Sequence, residues 1–233
     1  MAANELQTAG PLFADRRMAG RQLAQRLREV LARADHALGD AAGGPLVLAL
    51  PRGGVAVARE VADALAMPVD VLVTRKIGHP FQPELGVGAI AEGGEPVYDE
   101  LLLSKLGLTR AALLPVAERE RAELHRRVRV YRGDRPPPDV AGRPVILVDD
   151  GLATGVTARA ALGSLRARSA GRTVLAVPVA APASMAALSG DADDLIALAT
   201  PATFKAVGEW YTSFRQLTDS DVLELLGRTP NAC

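Results

Sequence analysis

Residues 145–157 read VILVDDGLATGVT, in which four aliphatic residues run directly into Asp149 and Asp150 and a loop of small residues then carries Thr154 and Thr157. An unbroken aliphatic run of this length suits a strand buried on both faces of a parallel sheet. In open parallel sheets, ligands gather outside the C-terminal ends of the strands. Two carboxylates at such an end face something neutral or cationic. Small residues ahead of a helix let backbone N–H groups converge on an anion, and the helix N-terminus adds partial positive charge. The hydroxyls of Thr154 and Thr157 add donors for the same anion. A phosphorylated sugar accompanied by a magnesium ion has both parts. The ordinary alternative is a pair of acids that cap the helix or face water; one acid alone would favour it, and the Gly-Thr loop behind the pair argues against it.

Two better-known phosphate loops do not fit. No lysine follows Gly155, as a P-loop requires, and GVGAIAEGG has neither the spacing of a dinucleotide fingerprint nor a helix after it.

The surrounding elements are those of an α/β protein. LVLAL (46–50), the turn Arg52-Gly53-Gly54 and a helix running to Pro68 precede a second buried strand, VDVLVT (69–74). Strand, Gly-rich turn, helix and strand make a βαβ unit and imply a parallel sheet. Residues 15–37 place Leu23, Leu27, Val30 and Leu31 at helical spacing. Residues 76–96 are rich in Gly and Pro and predict a long mobile loop that closes over a ligand, with a hairpin near Gly93-Gly94. A charged helix is expected over 109–132, a Pro-stiffened connector after it, and further strands at RTVLAVPV and DDLIALAT.

VILVDDGLATGVT resembles the phosphoribosyl-pyrophosphate (PRPP) binding motif of type I phosphoribosyltransferases: an apolar run, two acids, then small residues ending in Thr-Gly-x-Thr. LALPRGGVAVA is similar to the first strand and pyrophosphate loop of that family, and VLVTRKIG to its second strand. The resemblance covers about residues 45–200 and, with QPELGVGAIAEGG and AVGEWY, extends to a bacterial group of stand-alone members. It implies an open, mostly parallel sheet flanked by helices, with one domain over 1–233. The helix 15–37 and the segment 201–227 would form a small hood or flanking elements.

The implied activity is Mg²⁺-dependent transfer of the 5-phosphoribosyl group to a nucleobase-like nitrogen, with release of pyrophosphate. Asp149 and Asp150 would hold the ribose hydroxyls, directly or through the Mg²⁺ shell. Ala153, Thr154, Gly155, Val156 and Thr157 would bind the 5′-phosphate. Arg52, Gly53 and Gly54, helped by Lys76 in preference to Arg75, would hold the pyrophosphate. In the aromatic-rich stretch TFKAVGEWYTSF, Trp210 and Tyr211 are the candidates for stacking on the base. His79 is read as a loop residue, and Glu84 is at most an accessory base. Three departures from the family pattern matter, one of them a hood that matches no substrate class. Val156 stands where Gly or Ala is usual and would narrow the loop without blocking phosphate, because its amide remains. Ala153 stands where 6-oxopurine enzymes carry an aspartate that serves the base.

Composition narrows the alternatives. Lys plus Arg and Asp plus Glu both number 27, so no global charge draws the 233-residue chain to nucleic acid or membrane. The basic stretch ERERAELHRRVRVYR alternates its signs and reads as a solvated helix face. The only cysteine is Cys233, which excludes an internal disulfide and disfavours a Cys-based metal site. The N-terminus does not read as a signal peptide, and the longest apolar run is broken by Pro178 and Pro182; a cytoplasmic enzyme is expected, and the resemblance adds a homodimer. The rival reading is a PRPP-sensing regulator. It would need a nucleic-acid surface, and the 44 residues before the first strand offer only one helix, too little for a helix-turn-helix domain.

Overall fold

A computed structural model describes residues 10–33, 38 and 43–228. The first helix, α1 (Arg16–Leu31), starts where Asp15 caps the amide of Met18 at 2.7 Å. It buries Leu23, Leu27 and Val30 of the predicted stripe, with Leu31 half-buried; the end of the expected helix at 34–37 lies outside the described residues. Strand β1 (Leu46–Ala49), helix α2 (Gly53–Leu65) and strand β2 (Val69–Val71) follow as the βαβ unit. Gly20 lets α1 lie against α2: a Cβ there would sit 2.7 Å from the Val57 carbonyl oxygen.

The segment expected to be a loop is a hairpin instead. Strands β3 (Thr74–His79) and β4 (Gln82–Ala91) pair antiparallel, and β5 (Val97–Tyr98) joins β4 after the turn at Gly93-Gly94. Glycines concealed the strands from a composition reading. Gly86 and Gly88 leave room for Lys76 and Tyr98 side chains that a Cβ would meet at 2.8 Å, and Gly78 sits at a register shift with the Pro83 carbonyl at 2.4 Å from its would-be Cβ. The expected strand 69–74 is therefore two: β2 ends at Val71, and Thr74 already belongs to the second sheet.

Helices α3 (Glu100–Leu106) and α4 (Arg110–Arg132) come next; α3 was not expected, whereas α4 begins at its Thr109 cap as predicted. Then follow β6 (Val145–Val148), α5 (Val156–Ala167), β7 (Thr173–Val179), the short α6 (Pro182–Leu188) and β8 (Asp194–Ala199). A 3₁₀ turn at Val207–Trp210 and α7 (Asp219–Leu225), held by a Thr218–Asp221 capping box, end the described chain.

The open parallel α/β sheet expected from the sequence forms, with strand order β2-β1-β6-β7-β8. Its central strands are buried on both faces, which is why they read as continuous aliphatic runs. Val47, Ala49, Ile146 and Val148 pack on the α1–α2 side, and Leu46, Leu48, Val145 and Leu147 pack on the α5 side. Succession along the sheet therefore reverses between β1 and β6: the chain leaves β1 for α2 on one face and leaves β6 for α5 on the other. A crevice opens between two such diverging loops. It is at this crevice that Asp149 and Asp150 emerge. No helix among the described residues is long and apolar enough to cross a membrane.

Candidate functional site

The two loops at the crevice approach each other as closely as chemistry permits. A Cβ on Gly53 would lie 1.8 Å from Asp150 Oδ2, and one on Gly54 would lie 2.8 Å from the Val148 carbonyl oxygen and 2.9 Å from Asp149 Cα. The Pro51–Arg52 peptide just before them is cis. The β1 loop can lie against the acids only because it has no side chains there. Helix α2 starts at this loop with no side-chain cap; its Gly54 and Val55 amides donate instead to the Leu50 and Arg52 carbonyls at 3.1 and 3.2 Å.

The loop after β6 is anchored from behind. The Leu152 amide donates to the Val179 carbonyl at 2.9 Å, and Ser184 Oγ donates to the Ala153 carbonyl at 2.6 Å. Gly155 takes φ = 72° as the N-cap of α5, and again no side chain satisfies the first-turn amides. A helix N-terminus without a capping side chain presents free donors and a partial positive charge to an anion. Ala153 and Thr154 are exposed and Thr157 is half-buried, so the loop is open to solvent on this side. Val156 does not narrow it: its side chain is 7% exposed and packs with Ala89, Ala91 and Ala160 beneath the second sheet. The narrowing expected at this departure from the family pattern is not seen.

The acids are not free. Asp150 Oδ2 accepts a 2.7 Å hydrogen bond from Arg16 Nε, and both side chains are largely buried, at 10% and 14% exposure. Arg16 also donates from Nη1 to the Arg215 carbonyl at 2.8 Å, and its guanidinium lies 3.8 Å from the centroid of the Phe214 ring. Tyr211 donates its hydroxyl to the Asp150 carbonyl at 2.6 Å, and burial together with the nearby acids pushes its phenol far above the ordinary range, keeping it a donor. Asp149 Oδ1 accepts from the Asp150 amide at 2.8 Å. Burial, then the neighbouring Asp150 charge, holds the Asp149 carboxyl well above the usual carboxylate range; burial also raises Asp150, against the pull of Arg16. The sequence gives no hint of Arg16, which lies 134 residues away from Asp150 along the chain. Only the return of residues 211–215 beside 12–16, through the amides of Leu12, Phe13, Thr212 and Ser213, brings it there.

The remaining candidates are spread out. Arg52 turns toward α7, with Nη1 4.0 Å from Asp219 Oδ1. Lys76 is held within the β3–β4 hairpin, donating to the Glu84 carbonyl at 2.9 Å, and Arg75 pairs with Glu120. Trp210 is 9% exposed and stacked on Phe204; Tyr211 is 4% exposed between Phe13 and Phe214. Of these rings, Phe214 is the one with substantial exposure, at 37%.

The raised Asp149 carboxyl has a measurable consequence. A carboxyl whose folded-state pKa is raised contributes stability below its unfolded pKa, and that contribution is lost as pH rises through the folded value. Asp149→Asn keeps the acceptor for the Asp150 amide and removes the charge. It is therefore expected to raise the melting temperature at pH 8 by about 2–8 °C, on the scale of roughly 2–4 °C per kcal/mol for a domain of this size. The gain should vanish near pH 4. Solvent still reaches the crevice floor, which limits the effect. A melting temperature below wild type at pH 8 would show that the charge is not strained.

Two helices that start at the switch point between β1 and β6, on either side of a carboxylate pair, define an open parallel α/β protein with its candidate site at the C-terminal ends of the strands. The family model for the phosphoribosyl transferase domain matches residues 19–208, and the chain belongs to that family. It is 46% identical over 217 residues to the Mycobacterium tuberculosis H37Rv protein named "Putative phosphoribosyl transferase Rv0571c", and equally to its counterpart MT0597 in strain CDC 1551. That match covers 93% of this chain and 47% of those proteins, so the chain spans about half the length of the curated relatives it matches. The crystal structure of TT1426 from Thermus thermophilus is 42% identical, with a TM-score of 0.72, covering 92% of this chain and 97% of that one.

Proposed function

We propose that this chain transfers the 5-phosphoribosyl group of PRPP to a nitrogen acceptor and releases pyrophosphate. The observation that supports it best is the closure of Gly53 onto Asp150 where helices α2 and α5 both start. One helix start is suited to the 5′-phosphate and the other to the pyrophosphate, with the acids between them at the ribose. In the reaction, the acceptor nitrogen's lone pair forms a bond to C1 as the C1–oxygen bond to pyrophosphate breaks, and the acceptor's proton is lost to solvent or a base. The ribosyl ring carries positive charge at the transition state, and the leaving group gains negative charge. Asp149 and Asp150 stabilise the first. The Gly53 amide at the start of α2, fixed before the reaction, stabilises the second; the Gly54 amide already donates to the Leu50 carbonyl at 3.1 Å and holds the loop in place.

Among the described residues no group of three or more His, Cys, Asp or Glu side chains is placed to hold a metal ion. Two carboxylates, one already paired with Arg16, suit a magnesium ion that arrives on the substrate's oxygens, since Mg²⁺ keeps several waters and needs few protein ligands. Bound there, it would neutralise the leaving pyrophosphate. Asp149 and Asp150 would hold its water shell.

Calorimetry with PRPP and Mg²⁺, followed by a pyrophosphate-release screen over nitrogenous bases, tests the proposal. PRPP binding with turnover of one acceptor supports it. Binding without turnover of any acceptor would favour the PRPP-sensing regulator, and no binding would end both readings. The choice of acceptor is constrained by Ala153, which offers neither a proton acceptor nor a side-chain hydrogen bond where 6-oxopurine enzymes carry a carboxylate. Loss of general acid–base help costs on the order of 10²–10⁴ in rate. Hypoxanthine and guanine are accordingly expected to be poor acceptors; turnover of either at ordinary enzyme rates, about 1–10³ per second, refutes this.

A further inference from the structure

Asp150 is held at all but one of its polar groups. Its amide donates to Asp149 Oδ1 at 2.8 Å, its carbonyl accepts from the Tyr211 hydroxyl at 2.6 Å, and its Oδ2 accepts from Arg16 Nε at 2.7 Å. Gly53 closes the same flank, since a Cβ there would lie 1.8 Å from Oδ2 and 3.1 Å from Arg16 Nε. Oδ1 is left as the oxygen to which no amide, guanidinium or hydroxyl group among the described residues donates.

Local stability does not account for Arg16. It opens α1, whose first turn holds no acid, and a cation at a helix N-terminus opposes the dipole. A pair this buried is weak evidence for stability, because desolvation of both charges offsets their attraction. Yet the guanidinium is fixed on three sides. Nε meets Asp150, Nη1 donates to the Arg215 carbonyl at 2.8 Å, and its carbon lies 3.8 Å from the centroid of the Phe214 ring. Tyr211 is fixed in turn between Phe13 and Phe214. Ordering completed during folding need not be repeated when substrate arrives, so a charge held this way meets the transition state without reorganisation. Departures from local preference are expected at functional sites. Arg16, Tyr211, Phe214 and Arg215 all lie outside residues 19–208, the span the family model matches, so this clamp belongs to the ends of the chain and not to the matched core.

We propose that Arg16 and Tyr211 are positioning residues, which hold Asp150 so that Oδ1 alone is presented to a ribose hydroxyl. The proposal rests on the phosphoribosyl-transfer reading. A hydroxyl donating to Oδ1 leaves the Arg16 bond to Oδ2 intact, so the clamp stays closed through the reaction. Neither residue touches the reacting atoms; both act through Asp150.

Ribose 5-phosphate and its 2,3-dideoxy analogue differ only in hydroxyls that Asp150 would accept, so their affinity ratio reads the placement of Oδ1 without acceptor or turnover. Calorimetry with Mg²⁺ is expected to show the wild type favouring ribose 5-phosphate by about 10- to 100-fold, the range for a hydrogen bond to a charged group. In Arg16→Ala the ratio should fall to within about 3-fold, the level of an uncharged hydrogen bond. The side chain removed there adjoins a cavity of about 320 Å³, lined also by Arg17, Ser213 and Arg215, through which a small solute can enter. Guanidinium at about 50 mM, well below the molar range in which it unfolds proteins, should restore most of the preference. Urea, its neutral isostere, should not. Tyr211→Phe, which removes the hydroxyl and keeps the ring, should lower the ratio by less than Arg16→Ala does. Melting transitions establish that each variant is folded; a purely structural role would weaken both sugars alike and leave the ratio unchanged. If Arg16→Ala does not fold, Arg16→Lys and Tyr211→Phe carry the test, each keeping part of the preference. A wild-type ratio in every folded variant overturns the proposal, as does a loss in Arg16→Ala that guanidinium fails to restore or that urea restores equally. A wild type that binds PRPP without preferring ribose 5-phosphate to the analogue overturns it too, while leaving PRPP binding intact. Failure of both PRPP and ribose 5-phosphate to bind overturns the transfer reading, and this proposal with it.

Discussion

Asp150→Asn is expected to lower kcat/KM for PRPP by about 10²–10³, the loss usual when one fixed group stabilising a transition-state charge is removed. The carboxylate sits at the crevice floor against Gly53, where the proposed function puts the ribose, with Asp149 as the other acid beside it. The substitution is not silent for folding. Sequence considerations alone set Asp150 apart from the packing, whereas the structure pairs it with Arg16 at 2.7 Å. Asparagine keeps an acceptor for Nε and removes the charge, leaving a nearly buried guanidinium without its counterion, at about 1–3 kcal/mol. Adding Arg16→Gln removes that unpaired cation. The double variant should therefore recover melting temperature without recovering activity. Pyrophosphate release and thermal unfolding measured on the same preparations separate the two effects; full activity in Asp150→Asn would place the ribose elsewhere.

The second large effect is expected from the glycine pair, and the two positions should fail differently. At Gly53 the added methyl would sit 1.8 Å from Asp150 Oδ2, the movable end of a side chain. The carboxylate must swing aside, lose Arg16 and leave the position proposed for the ribose. Gly53→Ala should thus lose about 10²-fold or more in kcat/KM, on the order expected for a displaced catalytic group, with a stability cost similar to that of Asp150→Asn. At Gly54 the methyl meets the Val148 carbonyl and Asp149 Cα, backbone atoms of a central strand and its end. Those cannot yield without moving β6, so Gly54→Ala should chiefly destabilise, by about 1–3 kcal/mol as for other overpacked sites. Chemical denaturation and steady-state kinetics on both variants check the contrast. If Gly53→Ala retains both activity and stability, the β1 loop does not close on Asp150 in solution.

Much of the fold was legible because burial on two faces leaves a plain mark. β1 and β6 are aliphatic runs since helices cover both sides of them, and a Gly-rich turn followed by a helix implied the parallel crossover. The acids and the Gly-Thr loop could be recognised as a candidate site because their types and order within 13 residues carry the chemistry locally. The hairpin over 74–91 was not legible: its strands use glycine where neighbouring side chains or a backbone carbonyl need the space, so they lack the alternation that marks a strand. Val156 was read as narrowing the loop without blocking phosphate, and its side chain instead lies under the second sheet, since a helix's first residue can direct its side chain there while its amide stays at the loop. What only the tertiary structure decided is which groups meet the acids. Arg16, Tyr211 and Phe214 come from the two ends of the chain, and no local pattern relates them to Asp150; they converge because residues 12–16 and 211–215 pair edge to edge beside the sheet's C-terminal end. Local sequence set the chemistry that the crevice offers, since that depends on residue type and spacing. Long-range packing set the charge that faces it, since that depends on contacts between segments nearly 200 residues apart.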